Sequence, residues 1–327
     1  MTTASDGVGF SPGELDRDAT FYVAGHRGLV GSAIVRRLEA AGFTNIVGKT
    51  SAELDLRNRD DVFAYIAEIR PRYLVLAAAK VGGILANSTY PVDFLSDNLR
   101  IQSNVLDAAV ANEVERVAFL GSSCIYPKFA KQPIREDALL TGHLEPTNDA
   151  YAIAKIAGIL NVQAVRRQYG LPWISAMPTN LYGPNDNFSP QGSHVLPALI
   201  RRYDAAARSG ASSVTNWGTG TPRREFLHSD DMADAVLHLL EHYDGPEQVN
   251  VGTGSDVTIR EVADTIAGVV GFEGETEWDT SQPDGTPQKL LDVSKLAESG
   301  WISKIPLEEG LARTVAWYRE HVGAVRV

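Results

Sequence analysis

Cysteine is nearly absent: Cys124 is the only one in 327 residues. An internal disulfide is therefore excluded, and there are too few thiols for a structural zinc or iron–sulfur site. Long apolar stretches are missing too. None approaches the ~20 residues that a membrane span needs. The N-terminus lacks the basic-then-apolar pattern of a secretory signal, so a cytosolic, reducing setting is expected. Positive charge is scarce: 30 Lys and Arg stand against 41 Asp and Glu, a formal net charge of −11. That balance leaves no basic stripe for a phosphodiester backbone, so nucleic-acid partners are not expected. Any bound phosphate has to be met by local groups.

Apolar material is plentiful but comes in short pieces. At 44% of residues it suffices for a sizeable core, and the length suits one large domain carrying a smaller one. Short runs read as strands: Phe21-Tyr22-Val23-Ala24, Asn45-Ile46-Val47, Tyr73-Leu74-Val75-Leu76, Arg116-Val117-Ala118-Phe119-Leu120 and Trp173-Ile174-Ser175-Ala176-Met177. Between them Val30, Ile34 and Leu38, then Val62, Ile66 and Ile69, recur at helical spacing. Strands with no polar face belong in a sheet covered on both sides, so the expected fold is α/β, a doubly wound parallel (Rossmann) sheet. Met1 to Ala19 are polar and without period, and are expected to form a loose tail. After Pro178 the texture changes to Gly, Pro, Asn and Asp. The expected division is therefore a cofactor domain over 20–178, with returns near 215–253, and a mainly substrate-binding lobe over 179–327.

Gly25-His26-Arg27-Gly28-Leu29-Val30-Gly31 lies between the first strand and the first helix. There a glycine turn lets backbone N–H groups approach a pyrophosphate at the helix N-terminus. The spacing is GxxGxxG, and it is the surrounding βαβ unit that gives the motif weight. An NAD site usually has an acidic residue at the end of the second strand, for the ribose 2′-hydroxyl. This chain has Gly48-Lys49 instead. Lys49 and Arg27 can pair with a 2′-phosphate and Ser51 can donate to it, so the expected cofactor is NADP(H).

Tyr151-Ala152-Ile153-Ala154-Lys155 sets a phenol and an ammonium one helical turn apart. A neighbouring cation favours the phenolate and brings the tyrosine toward acid/base range. Ser122, just after the fourth strand, sits where doubly wound sheets bind ligands and can orient a carbonyl oxygen. The glycine loop, the strand-end serine and YxxxK together resemble the extended short-chain dehydrogenase/reductase family.

Within that family the chain is similar to the epimerase-reductases of GDP-linked 4-keto-6-deoxy sugars, from about Thr20 nearly to the C-terminus. The blocks that carry this are Ala77-Ala78-Ala79-Lys80-Val81-Gly82-Gly83, Gly121-Ser122-Ser123-Cys124-Ile125-Tyr126-Pro127-Lys128, Leu144-Glu145-Pro146-Thr147-Asn148, Met177-Pro178-Thr179-Asn180-Leu181-Tyr182-Gly183-Pro184 and Arg224-Glu225-Phe226-Leu227-His228. The resemblance implies epimerisation at carbons 3 and 5 of GDP-4-keto-6-deoxy-D-mannose, then NADPH-dependent reduction at carbon 4. It makes Cys124 the base, His194 the acid, and Ser122, Tyr151 and Lys155 the carbonyl-handling group, with no metal. It further implies that Ala78, Leu120, Gly121, Pro178, Thr179, Asn180, Leu181 and His194 border the cofactor with the glycine loop. Ser123, Cys124, Asn180, Arg202, Trp217, Arg224 and Asp284 would contact substrate. A homodimer is likewise implied. The family carries arginines in the turn after the second strand, where this chain has Lys49 and Ser51, so a weaker preference for NADP(H) is expected.

Two other readings stay open at this point. Another nucleotide-sugar epimerase or dehydratase would share the fold, the serine and YxxxK, but would suit a tightly held NAD. Cys124 and the missing acid after the second strand speak against it. A regulator that binds the dinucleotide without turnover has no need of an intact Ser122, Tyr151 and Lys155.

Overall fold

Every residue of Phe21-Tyr22-Val23-Ala24 is buried, in strand β1 (Phe21–Ala24) of the computed structural model, which describes residues 12–190, 192–282 and 284–323. Successive side chains point to opposite faces. Phe21 and Val23 accordingly enter one core cluster, Tyr22 and Ala24 another. Such a strand has to lie inside a sheet covered on both sides. The chain builds that sheet by repetition, through α1 (Leu29–Ala40), β2 (Ile46–Val47), α2 (Arg59–Ile69), β3 (Tyr73–Leu76), α3 (Ile84–Thr89), α4 (Pro91–Ala111), β4 (Arg116–Leu120), α5 (Asp149–Tyr169) and β5 (Ile174–Pro178). It leaves through β6 (Asn180–Tyr182), α6 (Val195–Ser209), β7 (Ser213–Trp217), β8 (Arg223–Arg224) and β9 (Phe226–His228), and returns with α7 (Ser229–His242) and β10 (Val249–Val251). The finished six-stranded sheet has the order β10-β5-β4-β3-β1-β2, every neighbour parallel. This is the doubly wound α/β fold that the strand pattern predicts.

Ile34 and Leu38 of α1 and the apolar face of α7 cover one side of the sheet. Val62 and Ile66 of α2, Val105 and Ala109 of α4 and Ile159 and Val162 of α5 cover the other. A third cluster, around Ile200, Tyr203, Ile266 and Leu311, holds the smaller lobe together. It joins α6 to α8 (Ile259–Val270), which follows β11 (Val257–Thr258), and to α10 (Leu307–His321). Between α8 and α10 run β12 (Glu275–Asp279), β13 (Gln288–Lys289) and α9 (Ser294–Glu298). Among the described residues no helix is long and apolar enough to cross a membrane.

The structure departs from the sequence reading at several edges. Asn45 stays outside β2, although its carbonyl accepts from the Phe21 N–H at 2.9 Å. Trp173 is fully buried but precedes β5; its indole donates to the Val114 carbonyl at 2.9 Å. The expected return near residue 215 does not reach the large sheet: β7 pairs with β12 instead. The alternating burial of β7 explains this, since one of its faces meets water. Of the expected loose tail, residues 1–11 lie outside the described residues. Its remainder is docked: Gly13 N–H donates to the Glu241 carbonyl at 2.8 Å, Leu15 is buried, and Arg17 pairs with Glu241 at 2.7 Å.

Arg116, in the middle of the sheet, is also fully buried. Its guanidinium donates to the carbonyls of Leu239 (3.2 Å), Leu240 (2.9 Å), Tyr243 (2.8 Å) and Pro172. Three of these carbonyls belong to the last turn of α7 and its cap, where a helix leaves acceptors without partners. Arg116→Met strips those acceptors of their donor and is expected to cost about 3 kcal/mol. Urea unfolding should show a lower midpoint with an unchanged slope.

Candidate active site

The glycine loop crosses the carboxyl end of β1. Gly25 has φ +88°, and a Cβ there would press on the Ala78 nitrogen at 2.8 Å. Gly31, in the first turn of α1, packs so tightly that a Cβ would fall on the Gly25 carbonyl oxygen. Loop, helix and the β3 end are therefore drawn into one cradle, which Leu29 and Val30 continue into α1. Gly28 caps the helix with no side-chain hydrogen bond, and no acidic residue stands in the first turn. An anion at this N-terminus meets no competitor there. His26 packs its ring against Gly48, and the Lys49 backbone hydrogen-bonds the imidazole. Burial and then Arg27 hold the imidazole below its ordinary pKa, favouring the neutral ring. Lys49 and Ser51 are exposed beyond it, as is Arg27. Sequence reasoning missed Glu53, whose carboxylate accepts from the Thr50 N–H (2.8 Å) and hydroxyl (2.7 Å) and feels the charges of Lys49 and Arg27.

The proton-handling residues converge at the end of β4. Ser122 accepts from the Cys124 N–H at 3.2 Å and also hydrogen-bonds Tyr151. Lys155, buried, donates to the Leu120 carbonyl at 2.8 Å, and its ammonium lies 5.1 Å over the Phe119 ring. Leu120 and Gly121 are themselves buried. The phenolate that a neighbouring cation would favour is opposed here by desolvation of the ring. Burial raises the Tyr151 pKa well above its ordinary value, the Cys124 charge raises it further, and only Ser122 opposes them. Burial pulls Lys155 down to about 8, so the ammonium is itself held at a cost. Tyr151 is thus a protonated phenol at neutral pH. Ser123 is buried, whereas Ser122 and Cys124 on either side of it are half-buried.

Cys124 has two neighbours that sequence reasoning did not single out. Asn148, the N-cap of α5, points Nδ2 at the sulfur at 3.4 Å. Lys289 brings Nζ to 3.6 Å. Arg224 is close enough for its pKa to respond to the sulfur's charge, although burial is the larger effect and lowers it.

From Arg224 a run of contacts leads outward. A Cβ on Gly285 would meet Arg224 Nη2 at 3.1 Å. Next in the chain, Asp284 accepts from the Thr219 N–H (2.9 Å) and hydroxyl (2.7 Å), so its oxygens are already engaged. Thr219 follows β7, whose last residue, Trp217, is 71% exposed. Arg202 grips the same strand through the Thr215 carbonyl (3.1 Å) and Asn216 Oδ1 (2.6 Å). Asn180 donates to the Glu225 carbonyl at 2.8 Å, where the Thr179 hydroxyl also bonds at 3.2 Å. Pro178 ends β5 and Leu181 packs on the α1 side of the core. His194 stands apart from the sulfur, as N-cap of α6, with no hydrogen bond or ion pair to Cys124 or Tyr151 among the described residues. The preceding Gly192 carbonyl accepts from Gly83 at 3.4 Å, which ties His194 to the loop after β3. Protein packed against its imidazole lowers its pKa by desolvation, although the residue is exposed at the cleft. That β3 loop is fixed in turn by Asn98, which exchanges hydrogen bonds with the Lys80 backbone at 2.8 and 3.0 Å. Among the described residues no cluster of three or more His, Cys, Asp or Glu suits a metal.

A model of the NAD dependent epimerase/dehydratase family matches residues 21–252. The chain belongs to that family. Among its epimerase/dehydratase relatives, GDP-L-fucose synthase 1 of Arabidopsis thaliana is 60% identical over 94% of this chain and 95% of that protein. GDP-L-fucose synthase of Escherichia coli (strain K12) is 54% identical over 92% and 96%. A gdp-l-fucose synthetase from Naegleria fowleri bound to NADP superposes with a TM-score of 0.88 at 29% identity, covering 97% of this chain and 98% of that one.

Proposed function

We propose that this chain converts GDP-4-keto-6-deoxy-D-mannose to GDP-L-fucose, inverting carbons 3 and 5 and reducing carbon 4 with NADPH. Its identity of 54–60% to GDP-L-fucose synthases over nearly the whole chain supports the activity. What supports the site assignment is the succession of Cys124, Arg224 within reach of its charge, Gly285 beside the guanidinium, and the Asp284–Thr219 contact just after Trp217. The ketosugar belongs at Cys124, the diphosphate at Arg224, which can bind it bidentately, and the base near Trp217, with Arg202 behind it. Ser123, being buried, would shape this site from beneath.

The cradle of Gly25 to Gly31 fits a dinucleotide, its pyrophosphate at the uncapped N-terminus of α1. When bound, NADPH supplies the hydride for carbon 4. Cys124 takes the proton from carbon 3 or 5, which the neighbouring ketone acidifies, and His194 returns one to the opposite face. Ser122 holds the ketone oxygen, and Tyr151, kept protonated by burial, donates to it during reduction. Lys155, anchored on the Leu120 carbonyl, would hold the nicotinamide ribose. Residues 20–178, with the returning α7 and β10, would hold the cofactor, and 179–327 mainly the nucleotide sugar. The cytosol suits a chain whose one thiol is its base. Ile153 and Leu160, 45% and 43% exposed and seven residues apart on α5, offer a homodimer contact.

The test is consumption of NADPH, beside NADH, with GDP-4-keto-6-deoxy-D-mannose, and identification of the product by NMR. GDP-L-fucose formed with preference for NADPH supports the proposal, whereas no consumption transfers the chain to other nucleotide-sugar chemistry. Lys49→Ala is expected to weaken NADPH binding about tenfold, within the range of a charge-assisted contact to phosphate. NADH binding should be unchanged; equal losses for both cofactors would remove Lys49 from the 2′-phosphate.

A further inference from the structure

β13 is two residues long and pairs in parallel with β8, Gln288 beside Arg223 and Lys289 beside Arg224. Alternation therefore sorts four polar side chains onto two faces. On one, Arg223 Nε and Gln288 Nε2 both bond Asp256, at 2.7 and 2.5 Å. On the other, Arg224 and Lys289 turn toward Cys124. The register is pinned: Leu291 N–H donates to buried Glu225 at 3.1 Å, and Leu290 N–H to Gln132 at 2.8 Å. Lys289 is thus held in place by its backbone, and its ammonium is directed by the strand.

The partner of that ammonium is unusual. Among the described residues no carboxylate lies within ion-pair distance of Lys289, and the contact it makes is to Cys124 Sγ at 3.6 Å. Asn148 Nδ2 donates to the same sulfur from another element at 3.4 Å, while Asn148 Oδ1 is buried without a partner. The other ionisable groups facing the sulfur are Tyr151, neutral in its buried setting, and Arg224, a second cation. A partly buried ammonium without a counter-ion is costly, and two N–H donors aimed at one sulfur suit an anion better than a neutral thiol.

We infer that Lys289 is the counter-ion of Cys124 and, with Asn148 as second donor, holds the sulfur in place and stabilises negative charge on it. Lys289 and Asn148 are then positioning residues. The sulfur lone pair takes the substrate's proton to form a thiol, and the C–H electron pair passes into the enolate. This catalytic use rests on the function proposed above; the ion pair itself does not.

Because the chain has one cysteine, its alkylation by iodoacetamide, followed by intact mass, reads Cys124 alone. At neutral pH Lys289→Met should slow alkylation by about tenfold, as expected when a thiolate loses its cation. Lys289→Arg should restore most of the rate, and Asn148→Asp, which sets a carboxylate against the sulfur, should slow it. NADPH affinity and melting temperature should hold in each. Should Lys289→Met not fold, Asn148→Asp and Lys289→Arg decide the matter. Parent-like alkylation in Lys289→Met or in Asn148→Asp overturns the pair, as does a rise in substrate KM with no change in alkylation, which would give Lys289 to the diphosphate. Slowed alkylation with undiminished deuterium exchange at carbons 3 and 5 would uphold the pair and refute Cys124 as the base.

Discussion

Tyr151→Phe is expected to lower the rate of NADPH-dependent reduction by about a thousandfold, the middle of the range for losing a positioned proton donor. Only one oxygen is removed. The ring packs edge-on against Phe94, with centroids 6.4 Å apart, and a phenylalanine keeps that contact. Lys155 holds the Leu120 carbonyl independently of the phenol, so cofactor binding should persist. Cys124 and His194 are untouched, so protons should still exchange at carbons 3 and 5, and the epimerised ketosugar should build up. Two readings on one sample check this: disappearance of reduced nicotinamide, and deuterium entering the sugar by NMR. Near-parent reduction would refute the role of Tyr151. Loss of exchange along with reduction would mean that the phenol serves both steps.

The central sheet was legible because its strands are buried on both faces. Phe21–Ala24, Tyr73–Leu76 and Arg116–Leu120 match the apolar runs residue for residue. Strand ends were less legible, since hydrogen bonding decides them. Trp173 is as buried as any strand residue and still precedes β5, because its partner is a carbonyl on the loop before β4. Arg116 is charged inside a core strand because the acceptors that hold it lie mainly at the end of α7, more than a hundred residues away.

The site divides the same way. Ser122 and Cys124 follow a strand, and Tyr151 and Lys155 share a helical turn, so local motifs find all four. Lys289 lies in no motif. It meets Cys124 only because two-residue strands pair across the smaller lobe, with Glu225 fixing their register. Period and propensity carry no signal for such a contact. The same limit applies to Asn148, visible in sequence as part of a block but not as a neighbour of the sulfur. The Tyr151–Lys155 pair shows the reverse case: its spacing suggests a phenolate, while burial of both groups works against it.

Cys124→Ser should slow solvent deuterium exchange at carbons 3 and 5 by about a hundredfold or more, the scale of a lost general base. The substitution is nearly isosteric, and the backbone N–H that bonds Ser122 is unchanged, so the turn after β4 should hold. A serine hydroxyl does not ionise at neutral pH even beside an ammonium. Lys289 and Asn148 would then surround a neutral oxygen, and the strongest local base would be gone. Reduction makes a different demand. It needs Ser122, Tyr151 and the cofactor but no sulfur, so a ketosugar supplied already epimerised should be reduced at close to the parent rate. That split separates the base from the reducing group, whereas general damage to the site would slow both steps. Unchanged exchange in Cys124→Ser would hand the base role to another residue and leave the thiol a packed neighbour of the cleft.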